Sequence, residues 1–101
     1  MKKPETIIED TYCDWLLSDY PFNALAIKLI LFAGKGFPDR TILSRGRILF
    51  IEFKAPGKPP DSLDPLQHKW RKLLYRLGFK VYVCTSVRQA KRVTYQVLGR
   101  T

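Results

Sequence analysis

The sequence predicts a single α/β domain that spans residues 1–101, with the element order αβββαβα and helices flanking a central sheet. Two segments carry apolar side chains at helical spacing, a third begins with residues that resemble a capping box, and the segments between them are rich in β-branched and apolar residues. The chain has 101 residues, of which 46% are hydrophobic, and this supports one folded core. We find no internal repeat or linker that would divide it.

The first helix is predicted over residues 5–18, because its apolar side chains recur three and four positions apart. This stripe consists of Ile8, Tyr12, Trp15 and Leu16. Pro4 suits the first turn of a helix, and Glu9 belongs to a group of acids near the end that the helix dipole favours. Residues 25–33 are predicted to form a strand with apolar side chains on both faces, so we expect it to be buried between layers.

Two further strands, 39–44 and 47–54, are predicted to form a hairpin, because a polar break at Arg45-Gly46 separates two β-branched runs. The second strand is apolar on both faces until its charged end, so we expect it at the centre of the sheet. A two-residue turn and a three-residue turn with a bulge at Gly46 both fit this sequence. They differ by one residue in the pairing of the strands.

The two-residue turn has a chemical consequence at the open end of the hairpin. It places Asp39 directly opposite Glu52 on one face, with Cβ atoms about 4.5–5.5 Å apart. Lys54 lies on the same face, two residues beyond Glu52. At about 4 Å and an effective dielectric of 20, two carboxylates repel by about 4 kcal/mol, so a proton, Lys54 or a divalent cation must offset the charge. Oxygen ligands of this kind suit Mg²⁺ or Mn²⁺ and the hydrolysis of a phosphodiester.

The second half of the chain predicts one more strand and two more helices. After a proline-rich loop over 55–62 come a helix from Pro65 to Gly78, a strand over 80–84 and a helix over 87–98. Asp64 is the expected N-cap of the helix that Pro65 begins. Ser86 and Gln89 resemble a capping box at the start of the last helix.

The charge balance favours a polyanionic partner. Lys and Arg number 18 against nine acids, which gives a net charge of +9 and a pI of about 9.8. Such a field attracts nucleic acid, and the alternative is a basic protein without a nucleic-acid partner. The longest apolar run, residues 29–33, is too short to span a membrane, and we expect no membrane partner.

Several other classes of protein fit the sequence poorly. No apolar run follows Met1 as in a signal peptide, and Cys13 and Cys84 lack metal-ligand spacing. We therefore expect reduced thiols and a cytoplasmic location, in a bacterial or phage-infected host cell. His68 is the single histidine, which disfavours a histidine-based nuclease. Gly34-Lys35-Gly36 lacks the spacing of a phosphate-binding loop, so we expect no nucleotide cofactor.

Pro38-Asp39, followed by Glu52-Phe53-Lys54 at a strand end, resembles the PD-(D/E)XK nuclease motif. The element order resembles the restriction-endonuclease-like core of that superfamily, a mixed central sheet flanked by helices. Within it, the chain resembles a small VRR-NUC (virus-type replication-repair nuclease) domain. Further residues that carry this resemblance are Glu9, Gly36-Phe37, Gln67 and the step Leu77-Gly78-Phe79-Lys80-Val81.

This resemblance implies an endonuclease that uses Mg²⁺ or Mn²⁺ to cleave DNA. Its implied catalytic residues are Asp39, Glu52, Lys54, Glu9 and Gln67. Asp39 and Glu52 would be the main metal ligands, together with the backbone carbonyl of Phe53. Glu9 would reach the site through water or a second metal, Lys54 would be the catalytic lysine, and the glutamine would orient that lysine or the attacking water.

Each of these residues also has a simpler explanation. Asp39 is a common residue at the start of a strand, and Glu52 with Lys54 could be a surface pair of little energetic value. Glu9 could complement the helix dipole, and Gln67 could complete a capping box, a role that is compatible with catalysis.

The basic residues fall into two groups. The candidate DNA contacts, which flank the proposed site, are Lys35, Arg40, Lys58, Lys69 and Lys72. A second cluster on the last helix consists of Arg88, Lys91 and Arg92.

We expect recognition of DNA shape, as in a flap or a four-way (Holliday) junction, through backbone contacts. Cutting both strands of a symmetric junction requires two sites, which a homodimer supplies; Trp15, Leu17 and Phe22 are its candidate contacts. The alternatives are a non-catalytic nucleic-acid-binding module, an RNase and a strand-transfer enzyme.

Overall fold

The computed structural model describes residues 1–29, 35–59 and 62–100 and confirms the predicted order αβββαβα. The helices are α1 (Pro4–Asp19), α2 (Pro65–Arg76) and α3 (Val87–Leu98). The strands are β1 (Leu25–Ile27), β2 (Arg40–Ser44), β3 (Arg47–Phe53) and β4 (Val81–Cys84). They form one sheet in the order β1-β2-β3-β4, in which only the β3–β4 pair is parallel. The sheet is therefore mixed.

The alternation of side chains along β3 divides the fold into three layers. Leu49, Ile51 and Phe53 are buried on the face that α1 and α3 cover. Phe50 is buried on the opposite face, where it packs with Leu74 of α2. Because β3 is covered on both sides, its position at the centre of the sheet agrees with its two-sided apolar pattern.

The hairpin between β2 and β3 has a two-residue turn. Arg45 and Gly46 have φ angles of 48° and 79°, both in the left-handed region that a type I′ turn requires. Ser44 pairs with Arg47, and Arg40 pairs with Ile51. This register confirms the two-residue turn over the alternative with a bulge.

The first strand differs from its prediction. β1 ends at Ile27 rather than continuing to residue 33, and residues 30–33 lie outside the described part of the chain. Leu25 is 55% exposed, so the expectation of a strand buried between layers is wrong. The reason is topological: among the residues that the structure describes, β1 pairs only with β2, which places it at an edge of the sheet.

The two later helices begin with side-chain caps. Asp64 and Gln67 form a reciprocal capping box at the start of α2. At α3, Ser86 accepts from the Gln89 backbone N–H at 3.1 Å, whereas the Gln89 side chain accepts from Thr85 at 2.7 Å. The predicted second capping box is therefore only half formed. Among the described residues, no helix combines the length and apolar character needed to cross a bilayer.

Candidate active site

The hairpin register brings Asp39 and Glu52 together at its open end. The Asp39 backbone N–H donates to Glu52 Oε1 at 3.2 Å, and the Phe53 backbone N–H donates to Asp39 Oδ2 at 2.8 Å. Each carboxylate is thus held by the backbone of the opposite strand. Glu52 is only 4% exposed, which excludes the alternative of a surface pair with Lys54.

Gln67 connects this carboxylate pair to Lys54. Its Nε2 donates to Glu52 Oε2 at 2.7 Å, and its Oε1 accepts from Lys54 Nζ at 2.9 Å. The same Oε1 accepts from the Asp64 backbone N–H at 3.1 Å, as the capping box requires. Gln67 therefore both caps α2 and joins the acid to the lysine. The capping box fixes where the first turn of α2 places this amide.

The Lys54 ammonium lies at the edge of the site. Its Nζ is 4.0 Å from Glu52 Oε2, and the side chain is 22% exposed. The backbone N–H of Lys54 donates to the Cys84 carbonyl at 2.9 Å, which extends the pairing of β3 and β4. Because β3 continues straight into this residue, its side chain shares a face with Glu52, and its charge remains accessible from solvent.

Burial and mutual repulsion control the ionisation of the two acids. Burial raises the pKa of Glu52 to about 8, and the negative charge of Asp39 adds to this increase. Burial also raises the pKa of Asp39, and the charge of Glu9 acts in the same direction. The Phe53 N–H and Lys54 oppose these shifts but do not cancel them. Near neutral pH and without a cation, the two acids therefore share a proton.

Glu9 lies close to the pair but is occupied by a different partner. Arg40 Nε donates to Glu9 Oε2 at 2.7 Å, and Lys28 Nζ lies 3.6 Å from the same oxygen. Arg40 directly follows Asp39, so strand alternation turns it to the opposite face of the sheet, toward α1. Arg40 is thus paired with Glu9, and its predicted contact with a phosphate stays a prediction.

The donor set fits a hard divalent cation. The buried Glu52 and the half-buried Asp39 supply carboxylate oxygens, and burial is the main cause that raises the pKa of both acids. Mg²⁺ commonly binds one or two carboxylates and keeps several waters. In the described part of the chain, no group of three or more His, Cys, Asp or Glu residues is arranged to hold a metal. The roles of Glu9 and of the Phe53 carbonyl therefore stay predictions.

Gly36 fixes the approach of the Asp39 segment to α2. Its φ of +95° lies in the left-handed region, and a Cβ there would lie 2.6 Å from the Leu66 backbone carbon. The chain thus passes directly over the first turn of α2. The Lys35 carbonyl accepts from Trp70 Nε1 at 3.1 Å, and Phe37 packs edge-on against the same indole.

Gly36→Ala is expected to lower the free energy of unfolding by about 3 kcal/mol, because it adds both backbone strain and a clash with backbone atoms. Urea denaturation would measure the loss. Gly57→Ala is the matched control: Gly57 also has a left-handed φ, of +83°, but a Cβ added there would meet no atom within 4 Å. Equal losses in the two variants would contradict the close packing at Gly36.

The other predicted DNA contacts are all exposed. They are Lys35, Lys58, Lys69 and Lys72. Sequence reasoning missed a set of residues beyond them, on the outer face of α2 and at its junction with β4. These are Arg71, Tyr75, Arg76 and Lys80, which line one groove with His68 and Lys72.

A signal for this surface is present in the sequence. Residues 1–64 contain nine Lys or Arg and all nine acids, whereas residues 65–101 contain nine Lys or Arg and no acid. The entire net charge therefore comes from the part of the chain that forms α2, β4 and α3.

Comparison with known proteins agrees with this fold. The profile of the VRR-NUC domain family matches residues 24–88, which include the hairpin, α2 and β4. The chain belongs to the VRR-NUC family. The matched segment contains Asp39, Glu52, Lys54 and Gln67, while Glu9 lies before it.

Two individual proteins are also similar to this VRR-NUC chain. The chain is 35% identical over 82 residues to "Putative nuclease p44" of Acyrthosiphon pisum secondary endosymbiont phage 1, covering 79% of this chain and 85% of that protein. A solved structure described as a VRR_NUC domain superimposes with a TM-score of 0.75 at 23% identity, covering 91% of this chain and 95% of the other. At that identity the likeness shows the fold alone. Family and relative together support a nuclease, whose substrate is a nucleic acid.

Proposed function

We propose that this VRR-NUC domain is a Mg²⁺- or Mn²⁺-dependent DNA endonuclease that cuts branched DNA, with four-way (Holliday) junctions as its substrate and a homodimer as its active form. The observation that carries the proposal is the pair formed by the half-buried Asp39 and the buried Glu52, linked through Gln67 to Lys54. This arrangement lies in a domain with a net charge of +9, which favours a polyanionic substrate.

The chemistry follows from the positions of these side chains. Asp39 and Glu52 would hold the cation. When bound, a divalent cation polarises a phosphoryl oxygen and lowers the pKa of a coordinated water. Lys54 would stabilise the negative charge that develops on the phosphoryl group during in-line attack by water. Gln67 holds this ammonium through the 2.9 Å hydrogen bond, at a distance of 4.0 Å from Glu52 Oε2.

Recognition of DNA shape is the second part of the proposal. The exposed lysines near the site lie on loops and on the outer face of α2, where they can contact phosphates along a duplex. Phosphate contacts position a nucleic acid without reading its sequence. We therefore expect that the geometry of a branch, rather than a base sequence, selects the substrate.

The proposed dimer needs a revised contact surface. Trp15 is half-buried among Tyr12, Tyr20 and Tyr95, so it is less suited to a dimer contact than the sequence indicated. Phe22, by contrast, is fully exposed and has a left-handed φ of 64°, a strain of about 1–3 kcal/mol that its own burial does not offset.

An exposed apolar row lies near Phe22. It consists of Leu25, Leu43 and Ile48, which are neighbours across β1, β2 and β3 and are 38–55% exposed. Leu17 is also exposed. We propose that two copies meet through Phe22 and this row in a twofold arrangement, because burying the same patch twice is the simplest way to cover it.

The dimer is expected to appear as twice the chain mass of 11.8 kDa in light scattering at micromolar concentration. Phe22→Ser should shift the equilibrium toward the monomer, because it removes the most exposed apolar side chain of the patch. Leu77→Ser is the control, since Leu77 is 72% exposed but lies at the end of α2. A monomeric mass for the unaltered protein would rule out the dimer.

A substrate panel tests the function itself. The protein is incubated with four-way junctions, flaps, linear duplex, single-stranded DNA and RNA, in Mg²⁺, Mn²⁺ or EDTA. Cleavage of the branched DNA alone, and only with metal, is the expected result. Binding without cleavage of any substrate would favour the non-catalytic module, and preferential cleavage of RNA would favour an RNase.

A further inference from the structure

A groove of about 660 Å³ lies on the outer face of α2, where this helix meets the start of β4. Its polar lining consists of His68, Arg71, Lys72, Tyr75, Arg76 and Lys80. Val81 contributes an apolar wall. The size falls within the range of about 300–1,000 Å³ that is typical of ligand sites.

The cations of this groove lack acidic partners. In residues 1–29, 35–59 and 62–100, the ion pairs of the structure involve Lys2, Lys28, Arg40 and Lys54, none of which lines the groove. α2 itself contains no acid after its N-cap. Cations that are close together and unpaired repel each other, so their arrangement favours an anionic ligand.

Tyr75 gives the groove an aromatic surface. It is 73% exposed, with Arg71 and Lys72 four and three positions before it on the helix, and Arg76 directly after it. The other four tyrosines each have a partner: Tyr12, Tyr20 and Tyr95 pack in the aromatic cluster around Trp15, and Lys80 lies 4.8 Å above the Tyr82 ring.

Within the described part of the chain, Tyr75 makes no ring contact and no side-chain hydrogen bond. Exposed aromatic rings between cations are typical of surfaces that bind single-stranded nucleic acid, because any base can stack on them. An acidic peptide would satisfy the cations but would gain little from the open ring.

The groove lies within reach of a strand in the candidate active site. Gln67 and Tyr75 are eight residues apart on α2, which corresponds to about 12 Å along the helix axis. At about 3.4 Å per nucleotide of stacked strand, this distance spans about three to four nucleotides.

From these observations we infer that the groove binds an unpaired nucleotide of the substrate strand, with its base stacked on Tyr75 and the flanking phosphates held by Arg71 and Arg76. The inference rests on the proposed function for the identity of the substrate. It adds that the bound substrate strand has a few unpaired nucleotides next to the cut.

Binding of a fluorescein-labelled ten-nucleotide oligo-dT, measured by anisotropy in EDTA, tests the inference without any cleavage. Tyr75→Ala should weaken binding about tenfold, because base stacking on one ring is lost. Tyr75→Phe should bind within about twofold of the unaltered protein, since stacking needs the ring and not the hydroxyl. Circular dichroism would confirm that both variants are folded.

Salt dependence separates the charge contacts from stacking. Arg76→Ala should reduce the slope of log affinity against log salt by about 0.7, the value for one phosphate contact on a single strand. Tyr75→Ala should leave this slope unchanged. Arg92→Ala, which removes the same charge from an exposed position of α3, is the matched control and should have a smaller effect than Arg76→Ala.

Three results would overturn the inference: unchanged oligo-dT binding by Tyr75→Ala, equal losses in Tyr75→Ala and Tyr75→Phe, or binding of duplex or poly-glutamate but not of oligo-dT. Each of them is independent of cleavage. If the protein cleaves junctions but shows one of these results, the proposed function stands and the inferred role of the groove is wrong. If it binds oligo-dT through Tyr75 but cleaves no substrate, the role of the groove stands and the nuclease mechanism is wrong.

Discussion

Glu52→Gln is expected to lower the rate of metal-dependent DNA cleavage by at least about 100-fold, the scale on which a preorganised charge contributes to catalysis. The substitution keeps the size of the side chain and removes the charge that would hold the cation. Gln67 can still hydrogen-bond to the remaining carbonyl oxygen. The loss should therefore reflect the charge and not the packing. Single-turnover cleavage of a labelled junction in Mg²⁺ would measure it.

Two further variants remove the other two charges of the same site. Asp39→Asn and Lys54→Ala should each reduce cleavage by a similar factor, because both charges face the reacting phosphate in the proposed mechanism. Affinity for the junction in EDTA should largely survive in all three variants. This separates loss of chemistry from loss of DNA binding.

Asp14→Asn is the control for the loss of one negative charge. Asp14 lies on the exposed side of α1, away from the carboxylate pair, and its substitution should leave the cleavage rate unchanged. If Glu52→Gln cleaved at a rate close to that of Asp14→Asn, the metal site would have to lie elsewhere in the protein.

The carboxylate pair could be predicted from sequence because its geometry is local. Arg45-Gly46 sets a two-residue turn, the turn sets the register, and the register brings Asp39 to Glu52 within one hairpin. The position of Gln67 could be predicted for a similar reason, since its capping box with Asp64 fixes where the first turn of α2 places its amide.

The pairing of Glu9 with Arg40 depends on how α1 docks against the sheet, and no local pattern specifies this. Strand alternation does predict that Arg40 lies on the opposite face of the sheet from Asp39, because the two residues are adjacent. What the sequence left open was that α1 presents a buried acid there. The exposed position of β1 could not be predicted from sequence either, since an edge strand and a central strand can share one apolar pattern.

The groove on α2 was missed for a different reason. Sequence reasoning assigned basic residues by their distance along the chain from the proposed motif, which selected Lys69 and Lys72. Helical spacing extends this surface by a further turn, to Tyr75 and Arg76. The absence of acids after residue 64 marked the region, but only the fold shows that the start of β4 closes the groove at Lys80.

The stability of the metal-free protein is expected to fall as pH rises from 5 to 8. Burial and the neighbouring Asp39 raise the pKa of Glu52 to about 8, above its ordinary value of 4.5. Between these two values the folded state holds a proton that the unfolded chain has released. The free energy of unfolding therefore decreases with increasing pH, by at most about 1.4 kcal/mol per unit.

Urea denaturation in EDTA at several pH values would measure this decline. In Glu52→Gln the side chain at this position is always neutral, so the curve should be flatter and the variant should be more stable than the unaltered protein at pH 8. Asp14→Asn should keep the decline. A free energy of unfolding that increased from pH 5 to 8, or an equal decline in Glu52→Gln, would contradict the buried carboxylate pair.

Binding of a divalent metal to Asp39 and Glu52 should counteract the loss of stability at high pH. A cation that binds the ionised pair favours the folded state and displaces the shared proton, so Mg²⁺ or Mn²⁺ should raise the melting temperature at pH 8 more than at pH 5. Calorimetric titration in buffers of different ionisation enthalpy would detect the released proton near neutral pH. Glu52→Gln combines the two consequences of one buried charge: it should stabilise the metal-free protein at high pH, and it should remove the thermal response to metal and lower the cleavage of DNA by at least about 100-fold.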